Sequence, residues 1–259
     1  MKKILILACV SAIVSLQNVC AWGRLGHEVV VKVAERHLTD KARKNIAAYM
    51  AYDLKTDAVW MDRHRYDEEL AFTGRWHGCH VDPQTCRYDK NMSAQNDDIV
   101  YAMEVVDCNL SRYRSLSDSA VLFNLRMVLH FVGDMHCPVH NHYGRRESWP
   151  CSLNGVPYKK FHALYDQMPA KLHGDAAPEE IAAGIDNLGK RAIKRIQRGT
   201  VTDWIYDAAS AGRTIYEWNP YDTEILDPET VELSRELVDT QLRNAGYRLA
   251  CLLNRYFGK

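Results

Sequence analysis

Apolar residues recur along this chain at intervals of three and four, the spacing that gathers them on one side of an α-helix. In "HEVVVKVAERHL", Val30, Val31, Ala34 and Leu38 share a face, and Thr39 with Asp40 then caps "KARKNIAAYM". Asn96 or Asp97 opens "DIVYAMEVVDCNLSRYR", in which Val100, Met103 and Val106 repeat the pattern. The run "DSAVLFNLRMVLHFVGDM" is apolar on several faces, which predicts the buried central helix of a bundle. Two runs led by proline, "PEEIAAGIDNLGKRAIKRIQ" and "PETVELSRELVDTQLRNAGYRLACLLNRYF", predict further helices with proline in the first turn. No stretch alternates as a half-buried strand would, and there is no repeat or convincing linker. The expectation is a single all-α domain, a multi-helix bundle, whose longest loops fall at 78–96 and 140–160.

The first 21 residues stand apart. "MKKILILACVSAIVSLQNVCA" has a lysine head, an apolar stretch from Ile4 to Leu16 and small Ala21 at its end. That is the pattern of a cleaved export signal, with cleavage before Trp22. The apolar stretch is too short to span a bilayer, and no later segment looks transmembrane. The domain proper is then 22–259, in a protein exported to the periplasm or secreted.

Lysine plus arginine and aspartate plus glutamate each number 33, and losing Lys2 and Lys3 with the leader tips the chain slightly acidic. This excludes the basic face of a dedicated nucleic-acid binder. Six cysteines follow the leader: Cys79, Cys86, Cys108, Cys137, Cys151 and Cys251. An even number in an exported chain suggests up to three disulfides, with Cys79–Cys86 as the local candidate and buried free thiols as the alternative.

The chemistry concentrates in "HFVGDMHCPVH", residues 130–140. His130 and Asp134 are four apart and share a helix face, so they can chelate one cation together. "FHALYD" repeats the geometry with His162 and Asp166. A buried histidine hydrogen-bonded to a carboxylate explains one such pair; two pairs with His140 beside them favour metal. A carboxylate buried in so apolar a run needs a compensating partner, and imidazole plus carboxylate without clustered thiols suits zinc. His27, Asp62, His77 and His80 offer the same ligand types.

The set "WGRLGHE", "WMDRHR", "WHGCHVDP", "HFVGDMHCPVH" and "FHALYD" resembles the S1/P1 nuclease family, which is related to bacterial zinc phospholipase C. The likeness in order and spacing covers residues 22–166. It implies an α-helical fold around three Zn²⁺ ions and a mature chain whose terminal tryptophan binds metal through its amine and carbonyl. Carried over by position, Trp22, His27 and Asp134 would hold one zinc, with Asp134 bridging to a second held by Asp62, His77 and His130. His140, His162 and Asp166 would hold the third, and Arg65 would meet the substrate phosphate. Asp62, Asp134 and Arg65 are thus the expected catalytic residues, and water activated between two metal ions the expected nucleophile.

The sequence departs from the family at the base pocket, where Gly78 and His80 replace an aromatic and an Asn or Asp; Gly78, His80 and Arg65 are the expected substrate-binding positions. The segment "NHYGRRESWPCSLNGVPYKK" lacks the usual glycine-rich stretch, and Arg145, Arg146, Trp149 and Tyr158 offer a different platform for phosphate or base. Cys137 replaces the usual glutamine and reads as a disulfide partner or a buried thiol. The resemblance implies a nuclease or 3′-nucleotidase acting on single-stranded DNA, RNA or nucleotides, monomeric and without a stable protein partner. The alternatives are a phospholipase C-like hydrolase of lipid headgroups and a zinc-binding protein that has lost catalysis.

Overall fold

The computed structural model of the protein describes residues 22–92, 97–142, 146–219 and 225–259. The expected leader, 1–21, and Arg145 lie outside them. Helices dominate in chain order: α1 (Gly23–Glu35), α2 (Asp40–Ala47), α3 (Trp60–His64), α4 (Ile99–Leu110), α5 (Asp118–His136) and α6 (Phe161–Tyr165). They continue with α7 (Met168–His173), α8 (Pro178–Ile185), α9 (Lys190–Ile196), α10 (Val201–Trp218), α11 (Glu229–Leu233) and α12 (Arg235–Phe257).

Helix α5 is the axis of the molecule, as its apolar pattern predicted. The Ser117 hydroxyl accepts from the Ala120 N–H at 3.3 Å and starts it, with Asp118 in the positive-potential first turn. Every residue from Met127 to His136 is buried. Helices α4, α10 and α12 pack against α5, and α12 also carries α1, which in turn packs on α8. Pro138 ends α5: it disfavours helical backbone at the residue before it, and Cys137 is accordingly extended, at ψ 119°. The chain then makes a short 3₁₀ turn, Pro138–His140, which swings His140 back toward the helix it has just left.

His136 is not part of the chemistry. Its Nδ1 donates to the Val132 carbonyl at 2.7 Å, leaving Nε2 to accept from Arg248 at 2.8 Å. Burial and the Arg248 charge together hold this imidazole neutral, well below its ordinary range. Arg248 also donates to Asp207 and to the Ile196 carbonyl, so one buried guanidinium ties α5, α9, α10 and α12 together.

Several expectations need correction. The opener of α4 is Asp98, whose carboxylate accepts from Val100 and Tyr101, rather than Asn96 or Asp97. The run from Pro178 is two helices, broken at Asp186–Gly189, and α11 is separated from α12 at Ser234. Helix α10 had no predicted counterpart. Short strands also exist: β1 (Cys79–His80) pairs in parallel with β2 (Asn141–His142). Strand β3 (Cys151–Leu153) pairs with β4 (Val156–Tyr158) and with β5 (Ile225–Leu226). The expected disulfides are absent, all six cysteines being free thiols. Cys86 Sγ accepts from Arg213 at 2.7 Å, whereas Cys79 Sγ faces Asn141, so the proposed Cys79–Cys86 partners turn to different neighbours. Trp149 and Tyr158 are buried, Trp149 stacking on Phe161 with centroids 4.1 Å apart, so they build the core rather than a platform.

Candidate metal centre

Six segments of the chain deliver side chains to one interior region. His27 enters from the second turn of α1 and Asp62 from the first turn of α3. His77 lies just before β1, while His130 and Asp134 project from one face of α5. His140 sits on the 3₁₀ turn, and His162 with Asp166 belong to α6 and its C-terminal cap. Trp22 is fully buried immediately before α1. His27, His130 and Asp134 have no exposed surface at all, and Asp62, His77, His140 and Asp166 are buried too.

Asp134 is the hub. Its Oδ1 lies 3.3 Å from His27 Nε2, and its Oδ2 lies 3.0 Å from His77 Nδ1 and 3.3 Å from His130 Nε2. Asp62 faces the same two rings, 3.6 Å from His77 Nδ1 and 3.6 Å from His130 Nε2. Beyond them, His140 Nε2 and His162 Nε2 stand 3.7 Å and 3.4 Å from the two oxygens of Asp166.

The local fold decides which nitrogen each ring offers. His130 Nδ1 lies 2.8 Å from the Ala58 carbonyl, which can only accept, so Nδ1 carries the proton and Nε2 presents its lone pair. His140 Nδ1 donates to the His77 carbonyl, with the same consequence for its Nε2. His27 reaches the hub because residue 133 is glycine: a Cβ there would stand 2.6 Å from His27 Nδ1. Its ring instead slides in to stack on His130, with centroids 4.2 Å apart.

These groups polarise one another strongly. Burial alone would raise Asp134, but the His130 charge and the facing imidazoles of His27 and His77 hold it well below the usual carboxylate range. His130 is pushed up to about 9 against the cost of burial by the charges of Asp134 and Asp62. His140 rises to about 9, burial being outweighed by its hydrogen bond to Asp166. Burial drives Asp166 itself up to about 7. Burial lowers His27 and His77.

A cation fits this arrangement better than protons do. Among the described residues, both ring nitrogens of His27, both Asp62 oxygens, His77 Nε2, Asp134 Oδ1 and Asp166 Oδ2 are buried without a hydrogen-bond partner. His130 Nε2 and His77 Nδ1 face each other at 3.1 Å, and His162 Nε2 and His140 Nε2 at 2.9 Å. So many unshared lone pairs are costly in a dry interior unless a positive ion sits among them. Three sets of ligand atoms each lie within 4.8 Å of one another: His27, Asp62 and His130; His77, His130 and Asp134; and Cys137, His140 and Asp166. Sequence reading missed Cys137 as a member, although its C-x-x-H spacing to His140 is a metal-ligand spacing. The backbone N–H groups of Trp22 and Val139 face its sulfur, while burial, with the Asp166 charge beside it, pushes the thiol well up.

The cluster opens on a cavity of about 670 Å³. His77, His140 and His162 line it, with Arg65, Gly78 and His80; Arg75, Lys159 and Lys160 add positive charge, against Asp97, which pairs with Arg75 at 2.9 Å, and Glu147. Arg65 Nη1 stands 3.6 Å from Asp62 Oδ1, which places the guanidinium beside the cluster and in the cavity lining. Four basic side chains against two acidic ones leave the lining with a modest positive excess that the overall composition lacks. No helix among the described residues is long and apolar enough to cross a membrane.

Comparison with known sequences gives a consistent picture. The sequence model of the S1/P1 Nuclease family matches residues 22–258. Endonuclease 2 of Arabidopsis thaliana is 22% identical, over 93% of this chain and 92% of that protein. Nuclease S1 of Aspergillus oryzae is 25% identical, over 90% and 91% of the two chains. Nuclease P1 of Penicillium citrinum is 23% identical, over 92% and 98%.

Proposed function

Because the chain belongs to the S1/P1 nuclease family, whose members are hydrolases of phosphodiester bonds, we propose that it is a zinc-dependent enzyme cleaving single-stranded nucleic acid and 3′-nucleotides. The observation that carries this reading is the convergence of imidazole and carboxylate lone pairs, buried and unpartnered, beside a cavity whose lining is modestly positive.

In this reading Trp22, His27 and Asp134 hold one zinc, Asp62, His77 and His130 a second in contact with Asp134, and His140, His162 and Asp166 a third. When bound, the ions supply Lewis acidity, making water a nucleophile near neutral pH and offsetting phosphate charge. The chain's own groups do the rest. The Ala58 and His77 carbonyls fix the tautomers of His130 and His140, so their lone pairs are aimed before any ligand arrives. Arg65 donates to a nonbridging phosphate oxygen and orients the scissile group. Lys159, Lys160 and Arg75 draw the polyanion to the cleft, and a flexible single strand can bend into a cavity that a stiff duplex cannot enter. With glycine at 78 and histidine at 80, the base subsite provides an imidazole to hydrogen-bond and no ring beside the metal histidine to stack upon.

The same reading makes 1–21 a leader whose removal frees the Trp22 amine, and 22–259 an exported, monomeric catalytic domain. A lipid headgroup is the poorer substrate in this reading, because the lining carries Arg65, Arg75, Lys159 and Lys160 and only Tyr66 and Met92 as exposed large apolar side chains, too few for a collar around acyl chains. The test is hydrolysis of single-stranded DNA, 3′-AMP and phosphatidylcholine before and after chelation. We expect cleavage of the first two, lost on chelation and restored by zinc. Activity confined to the lipid, or undiminished after complete zinc removal, would contradict it.

Gly133→Ala probes the packing that seats His27. A methyl group 2.6 Å from Nδ1 must displace the ring from the hub. We expect kcat/KM to fall about 10–100-fold, the usual cost of disturbing a ligand's support, with reduced zinc content. An unchanged rate and metal content would show that His27 is not a ligand.

A further inference from the structure

Cys137 is fully buried and belongs to neither a disulfide nor the ligand set carried over from the family resemblance. Its Sγ lies 3.9 Å from Asp166 Oδ1, too long for more than a weak S–H···O contact. It is within 4.8 Å of ligand atoms of both Asp166 and His140. Around one zinc, nitrogen and oxygen ligands at 2.0–2.2 Å and sulfur at 2.3 Å stand roughly 3.3–3.6 Å from each other in a tetrahedron. The separations here approach that pattern: 3.7 Å from His140 Nε2 to Asp166 Oδ1, and 3.4 Å from His162 Nε2 to Asp166 Oδ2. Asp166 Oδ2 is buried without a hydrogen-bond partner, so a carboxylate is already aimed at the point these atoms surround. The backbone contributes too. Pro138 disfavours helical backbone at Cys137, which is extended at the end of α5 and so leaves the helix beside Asp166.

We propose that Cys137 supplies a thiolate to the cation held by His140, His162 and Asp166, giving that site four protein ligands. The inference rests on the metal reading above. On binding, the S–H bond would break, its proton would leave to solvent, and the thiolate would become the fourth protein ligand. The consequence is chemical. A site with four protein ligands would clamp the end of α5 to α6. A soft ligand also biases the site toward zinc and cadmium over magnesium, calcium or manganese.

X-ray absorption at the zinc edge of the zinc-loaded protein tests this without any substitution. A sulfur shell at about 2.3 Å, equivalent to one sulfur per chain, is the expected result. A first shell of nitrogen and oxygen alone, in protein that does hold zinc, overturns the proposal and leaves the metal reading intact. Cobalt(II) replacement gives a second readout, in protein carrying Cys108→Ser and Cys251→Ser to remove the thiols that are not buried. A thiolate-to-cobalt charge-transfer band should be present and should vanish in Cys137→Ala, while the visible d–d bands of the other sites persist. A band that survives Cys137→Ala assigns the sulfur elsewhere and refutes the proposal. Protein that takes up neither metal refutes both the proposal and the metal reading.

Discussion

Asp134→Asn is expected to abolish most activity and to strip the enzyme of two of its ions. Asp134 has no exposed surface, and its two oxygens face His27 on one side and His77 and His130 on the other, all within 3.3 Å. An amide keeps the volume but removes the charge. It also turns an N–H donor toward imidazole nitrogens that already present lone pairs to one another. The removal of one preorganised electrostatic contact commonly costs about 10²–10³ in rate. A carboxylate shared by two ions should exceed that, so kcat/KM is expected to fall at least about 10³-fold, with about one zinc retained per chain. Steady-state kinetics and elemental analysis on the same sample decide it. Wild-type zinc content and rate would show that Asp134 bridges nothing.

The second large effect is expected from a single residue added before Trp22. Trp22 is fully buried, with its backbone in the left-handed region at φ 43°. Gly23 follows at φ 50°, and a Cβ there would stand 3.0 Å from the Asp166 carbonyl oxygen. Its neighbours therefore clamp the start of the domain against the cluster. An amine ligates through a lone pair; once acylated by a preceding residue, that nitrogen becomes an amide and has none to give. The extended protein should fold with nearly unchanged Tm, bind about one zinc fewer and lose about 10²–10³ in kcat/KM. Comparison with the protein ending cleanly at Trp22 is the measurement. Full activity in the extended form would remove Trp22 from the ligand set and make leader cleavage irrelevant to catalysis.

Why these side chains were readable from sequence, and others not, has a physical basis. His130 with Asp134 and His162 with Asp166 were visible because helical periodicity fixes i and i+4 on one face. His140 was visible because it falls just past the first pair, at the end of the apolar run. That His27 and Asp62 join them came from the family resemblance alone: it depends on α1 and α3 packing beside α5, which no local pattern encodes. Helix α10 was missed although "TVTD" is a readable capping box, with the Thr200 hydroxyl accepting from the Asp203 N–H. Its small residues, Ala208, Ala209 and Gly212, weaken the apolar stripe, and Gly212 is there to let Pro138 approach. The strands escaped notice because two or three residues cannot show alternation. Their partners are also distant in sequence, Cys79 pairing with Asn141 and Ser152 with Ile225. Cys137 was not legible as a ligand because an even number of cysteines in an exported chain points first to disulfides or buried thiols.

The most direct measurement of the central claim is a crystal structure with anomalous difference maps collected on both sides of the zinc absorption edge. Three zinc peaks are predicted: two flanking the Asp134 carboxylate, and one between His140, His162 and Asp166. A map with no peak among these side chains would contradict the account and leave a helical family member without its chemistry.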